Sequence, residues 1–159
     1  MNRIVKYIVV HSTKTLPGEG LGEVRSNMRA QGNVRQFHCL VDCYGHAARV
    51  LGANLTAQNG APENESCYHL AYIGGLTDHR TSGDTRTPVQ THVLYEKILE
   101  LQQLCPGAQV IGADVLTGDP SQCPGFDVSE WMNYYKDHRE DWIDYEEPET
   151  EEAECYLQN

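Results

Sequence analysis

The hydrophobic pattern divides the chain into short apolar runs separated by polar, glycine-rich stretches. Residues 4–10 (IVKYIVV) form a β-branched run that predicts a buried strand ending at His11-Ser12-Thr13. A loop containing Pro17, Gly18, Gly20 and Gly22 follows, then a short helix over 23–30 that Gly32 stops. Residues 37–42 read as a second strand, with a turn at Cys43-Tyr44-Gly45 and a hairpin partner over 46–51. A polar loop covers 54–66, and a further strand covers 67–73 before Gly74-Gly75.

The strongest helix signal lies at 88–104. Thr87 suits the N-cap and Pro88 the first turn, Leu94, Ile98 and Leu101 recur at helical spacing, and Pro106-Gly107 closes the element. A short strand over 108–112 precedes a last helix beginning near Ser129. Asp127 and Glu130 suggest a capping box there, and Trp131, Tyr135, His138 and Trp142 form an aromatic stripe suited to packing on a sheet. The order β-α-β-β-β-α-β-α predicts an α/β domain with a mixed central sheet flanked by helices.

At 159 residues, with 40% hydrophobic and 22% charged positions, the chain suits one globular domain. No apolar stretch approaches the ~18 residues of a membrane span. Nor does the N-terminus read as a secretory signal, so we expect a cytoplasmic protein that reaches a cell wall only by lysis or holin-type release. The six cysteines (Cys39, Cys43, Cys67, Cys105, Cys123, Cys155) contain no CxxC pair and are expected to be free thiols.

The net charge is −11, unevenly spread: residues 137–159 hold ten acids against Arg139, leaving −2 for residues 1–136. This predicts a domain over 1–142 and a disordered acidic tail over 143–159. A chain so charged repels phosphates, and nucleic acid is not an expected partner.

Four segments, in order, carry a family resemblance: YIVVHST (7–13), FHCLVDCYG (37–45), YIGGLTD with GDTRTPVQ (72–78 and 83–90), and CPGFDVSEW (123–131). Together they resemble the type 2 N-acetylmuramoyl-L-alanine amidases, the group that includes phage lysozyme-type amidases and peptidoglycan recognition proteins. The resemblance implies that fold as a single domain, with peptidoglycan fragments (muropeptides) as ligands. It also implies a zinc ion held by two histidines and a cysteine, which activates water and polarises the amide carbonyl.

Carried over position by position, His11 matches the first zinc histidine and Cys123 the cysteine. The second histidine position is Ala113, the catalytic tyrosine position is Phe37, and the lysine position is Ser121. An alanine methyl binds no metal, so the resemblance implies a catalytically impaired member. His69, where the family usually has glycine, and Asp119, in the loop before Cys123, are the substitute third ligands that would keep the chain an active zinc amidase. Asp114, beside the lost ligand, is expected to continue the strand and face away. A Cys-His hydrolase built on Cys123 and His11 would need an orienting acid such as Asp114. A regulatory protein-binding module on the same scaffold is a further alternative, supported by the acidic tail.

Overall fold

The computed structural model describes residues 2–121 and 123–138. The acidic tail over 143–159, with Trp142 of the aromatic stripe, lies outside the described residues. Five strands form one sheet: β1 (Tyr7–Ser12), β2 (Cys39–Val41), β3 (Ala47–Arg49), β4 (Cys67–Tyr72) and β5 (Gln109–Gly112). Their spatial order is β3-β2-β4-β1-β5. Only the β2–β3 hairpin is antiparallel; β2–β4, β4–β1 and β1–β5 run parallel. The mixed sheet flanked by helices is the architecture that the hydrophobic pattern predicts.

Both faces of the sheet are covered, which explains why β1 and β4 read as continuous apolar runs. On one face Ile8, Val10, Tyr68, Leu70 and Tyr72 meet α2 (Pro88–Leu104) and α4, which spans Val128–His138. Fully buried Val93, Leu94, Ile98 and Leu101 of α2 anchor this layer, each side chain contributing about 1.5–3 kcal/mol. On the other face Val24 and Met28 of α1 (Leu21–Ala30) pack with Phe37, Leu40, Ala71 and Ile73. That helix covers only part of its face, and the uncovered part holds the site described below.

Local chemistry sets the helix ends. The Thr87 hydroxyl accepts from the Gln90 amide while the Gln90 side chain accepts from the Thr87 amide, a full capping box. Buried Gln90 also donates to the carbonyls of Val41 and Ile73 at 3.0 and 3.1 Å, joining α2 to the ends of β2 and β4. Asp127 caps α4 by accepting from the Glu130 amide at 2.9 Å. Within the aromatic stripe Trp131 and Tyr135 are buried, whereas His138 stacks on exposed Tyr134.

One element departs from the sequence reading. Residues 113–117 form a short helix, α3 (Ala113–Thr117), so Asp114 lies in a helical first turn and not on a strand. Gly112 ends β5 and caps α3, and Gly118 stops it in the left-handed conformation. Five residues carry too little periodicity to announce a helix. Cys43, Cys67 and Cys123 are free thiols, but Cys39 is disulfide-bonded, against the expectation of free thiols throughout. Among the described residues no helix is long and apolar enough to cross a membrane.

Candidate functional site

The site lies beyond the carboxyl ends of the parallel strands, where open α/β sheets place their ligands. It is a groove of about 380 Å³, and its lining includes His11, Lys14, Phe37, Ala113, Thr117 and Cys123. Strand alternation puts Val9 and His11 of β1 on the face away from α2. The register Val9↔His69 and His11↔Ala71 sets His69 on the same face, one step below His11.

Cys123 reaches the groove from the loop after α3. The Asp114 amide donates to the Cys123 carbonyl at 3.0 Å, and the Tyr72 hydroxyl donates to the Pro124 carbonyl at 2.6 Å. From the segment before α2, the Arg86 guanidinium lies 3.4 Å from the centroid of Phe126, farther along that loop, and 4.9 Å from that of Trp131 in α4, while pairing with Asp84. These contacts bring the Cys123 Sγ to 3.5 Å from His11 Nδ1.

A chain of hydrogen bonds runs back from that pair, and its direction can be deduced. Asn59 donates through Nδ2 to the Gln36 carbonyl at 2.8 Å and accepts at Oδ1 from the Ala61 amide at 3.0 Å, which fixes its orientation. The same oxygen accepts from Asn64 Nδ2 at 2.9 Å, so Asn64 turns its own oxygen to His69 Nε2 at 2.6 Å. His69 must then donate from Nε2, leaving Nδ1 as an acceptor. His11 Nε2 lies 2.7 Å from that Nδ1 and supplies the proton. His11 Nδ1 therefore carries a lone pair directed at Cys123, and the thiol donates to it.

A third imidazole follows the same logic. His38 Nδ1 accepts from the His69 backbone amide at 3.0 Å, so its Nε2 donates to the Leu55 carbonyl at 2.8 Å. The Arg3 guanidinium, 3.2 Å from that nitrogen, is a neighbour and not its hydrogen-bond partner. Arg3 instead donates to the carbonyls of Ala53 and Cys67.

Burial dominates the electrostatics. It pushes the His11 imidazole down to about 3, with the charge of Lys14 acting in the same direction. His69 falls to about 2, first by burial and then through His11. His38 falls to about 4 by burial, which the Leu55 carbonyl partly opposes. Burial also raises the Cys123 thiol, against the lowering influence of Ser12 and Lys14. Near neutral pH the pair is therefore a thiol and a neutral imidazole. A long-range proton–nitrogen-15 correlation spectrum at pH 7 should show His11, His38 and His69 all neutral and all protonated at Nε2. A His11 ring protonated at Nδ1 would reverse the relay.

The positions singled out in the sequence fall into two groups. His11, Cys123, Ala113 and Phe37 converge on the groove, while Ser121 lies at its rim, beside Lys14 and Cys123. Ala113 is 4% exposed and packs with Val9, Cys67 and Cys123. The Phe37 ring meets the His11 ring edge-on at 5.1 Å, presenting carbon where a tyrosine would present a hydroxyl. His69 and Asp119 are placed elsewhere. His69 is fully buried behind His11 with both nitrogens engaged, and Asp119 accepts from the amide and hydroxyl of Ser121. His69, not Asp114, stands on the second nitrogen of His11, so no acid orients that ring.

The donor set can be tested against zinc. An Sγ and an Nδ1 that are 3.5 Å apart match one edge of a zinc tetrahedron, given Zn–S of about 2.3 Å and Zn–N of about 2.0–2.1 Å. Ala113, at the position where the family resemblance implies the second zinc histidine, lines the same groove with no donor atom on its side chain, and among the described residues no three His, Cys, Asp or Glu side chains group around a metal position. Two of three protein ligands are present, which does not fit a catalytic zinc site.

Sequence reasoning missed Lys14, Asn59 and Asn64. The asparagines sit in what reads as a plain polar loop, and nothing local marks a lysine as a groove residue.

No family model matches the chain, and no curated protein matches it in sequence. Solved structures do match. The Ph2119 endolysin from the Thermus scotoductus MAT2119 bacteriophage Ph2119 superposes with a TM-score of 0.65 at 19% identity, covering 84% of this chain and 86% of its own. The N-acetylmuramoyl-L-alanine amidase LysC from Clostridium intestinale URNW gives 0.67 at 16%, covering 85% and 87%. PGRP-SA from Apis mellifera gives 0.62 at 16%, covering 82% of each. The chain has the amidase/PGRP fold.

Proposed function

We propose that this domain binds peptidoglycan fragments in the groove over His11 and does not hydrolyse them. The fold is shared with an endolysin, an amidase and a PGRP, which supports a peptidoglycan-related role. The observation that carries the second half is the methyl of Ala113. It lines the groove together with His11 and Cys123, and the family resemblance implies a zinc histidine at that position. Phe37 removes a second contribution, because an aromatic edge donates no hydrogen bond to a developing oxyanion. What is left is a pocket with amide, hydroxyl, imidazole, thiol and apolar walls and one lysine, suited to holding a glycopeptide.

The test pairs three measurements on the purified full chain. Metal content is read after purification without added zinc. Binding of N-acetylmuramoyl-L-alanyl-D-glutamate is followed by calorimetry, and release of L-alanyl peptide is assayed with and without added zinc. Binding without release supports the proposal. Release with one equivalent of zinc would instead establish an active amidase whose third ligand comes from outside the described residues. Absence of binding would remove the peptidoglycan reading altogether.

A further inference from the structure

Two arginines of α1, Arg25 and Arg29, are four positions apart, which sets them one turn apart on the same side of the helix. Arg29 stands in the last turn, where a cation offsets the helix dipole. Arg25 has no such reason to be there, and like charges at this spacing repel. Both side chains are exposed. Neither takes part in an ion pair with a described residue, although the chain as a whole carries −11.

Beside them lies a second groove of about 240 Å³, lined by Arg25, Arg29, Met28, Val34 and Val50. It shares no lining residue with the groove over His11, and among the described residues no carboxylate lines it. Met28 is 6% exposed and packs with Phe37 and Ile73, and Val50 packs against the same cluster. Val34, by contrast, is 48% exposed. The backbone fixes its place. Gly32 takes the left-handed conformation after α1, its amide donates to the Arg29 carbonyl, and the Asn33 amide returns to the Met28 carbonyl at 2.9 Å. The chain therefore reverses directly behind the helix and carries Val34 back to the groove.

The result is an apolar strip with two cations along one wall. An aliphatic side chain matches the strip, and carboxylates match the guanidinium pair, each of which can grip one through two parallel hydrogen bonds. The groove is smaller than the ~300–1,000 Å³ of pockets that enclose a small molecule, and exposed Val34 leaves one wall in solvent. Such a surface suits a segment lying across it with its other side in water, and arginine clusters read acidic motifs in peptides this way.

We propose that this groove docks an acidic, aliphatic peptide segment of a partner protein. Arg25 and Arg29 bind its carboxylates, and Met28, Val34 and Val50 receive its aliphatic side chain. The inference is independent of the peptidoglycan reading, because the two grooves have separate linings.

The experiment follows the anisotropy of a fluorescein-labelled hexapeptide, Glu-Glu-Leu-Leu-Glu-Glu, titrated with the full chain. The wild type should bind it at low salt, and more weakly as salt is raised. Arg25→Gln and Arg29→Gln should each weaken binding roughly fivefold, and the double variant roughly twentyfold. Both positions are exposed, so all three variants should unfold at the wild-type temperature. Glu-Glu-Ser-Ser-Glu-Glu and Gln-Gln-Leu-Leu-Gln-Gln should each bind roughly tenfold more weakly, since each lacks one half of the match. Undiminished binding by the double variant, equal binding of the serine peptide, or no binding by the wild type overturns the proposal. Displacement of the hexapeptide by an equal concentration of decanoate would give the groove to an acyl carboxylate instead. A dimer in sedimentation that the double variant abolishes would give it to a second copy of this chain. Either result also overturns the peptide partner.

Discussion

Replacing Ala113 by histidine should give the groove a zinc site, raising zinc affinity by roughly 100- to 1,000-fold over the parent chain. The magnitude follows from the ~10–16 kcal/mol of apparent zinc binding in four-ligand sites, which is about 2.5–4 kcal/mol for each ligand. Position 113 is suited to the change. It opens α3, lines the groove and packs directly with Cys123. Cys123 Sγ and His11 Nδ1 already stand at the spacing of a tetrahedral edge. The relay that directs the His11 lone pair toward the groove would serve as the hydrogen-bonded support that zinc histidines require, with His69 accepting the other ring proton. Competition with a chromophoric chelator measures the affinity directly. An affinity in A113H equal to that of the parent would show that the missing imidazole is not what separates this groove from a metal site. Adding Phe37→Tyr to A113H then tests hydrolysis, since it restores a hydroxyl beside His11.

Acid should unfold this protein early. His11, His38 and His69 hold folded-state values of about 3, 4 and 2, all below the ordinary histidine value of 6.5. Each is therefore neutral when folded and takes up a proton only on unfolding. The stability this contributes is complete above pH 6.5 and is lost as pH falls from there toward the folded values. By pH 5.5 three such groups cost about 4 kcal/mol, and below that the slope is close to 4 kcal/mol for each pH unit. For a stability of ~5–10 kcal/mol, within the usual range for a domain, unfolding should fall between about pH 5.5 and 4. Urea titrations at a series of pH values give the slope. A stability that stays flat from pH 7 to 5 would contradict the burial of three neutral imidazoles.

The sequence carries the fold better than it carries the site, and particular residues show why. The helix over 88–104 is legible to the residue because its signals are local: Thr87, Pro88 and Gln90 set its start and Pro106-Gly107 its end. The short helix after Gly112 is not legible, because its cap is a glycine and its length is a single turn. Within the site, the candidacy of His11 and Cys123 comes from resemblance. That His69 supports His11 from behind depends on a register between strands 58 positions apart, which no local pattern encodes. Lys14 is the extreme case. A lysine in the left-handed region, with φ of 56°, sits between Thr13 and Thr15, whose amides bond to the carbonyls of Tyr72 and Gly74 across the sheet, and its own side chain gives no sign of it.

The relay has a geometric consequence of its own. Asn59 fixes its far end, and Asn59 also lines the groove into which His11 opens at the near end. The two ends therefore share one chamber. A bound molecule that captured the Asn59 oxygen would compete with Asn64 for it. Turning the Asn64 amide would reverse every proton from His69 to Cys123, so that occupancy at one wall is written into the tautomer at the other.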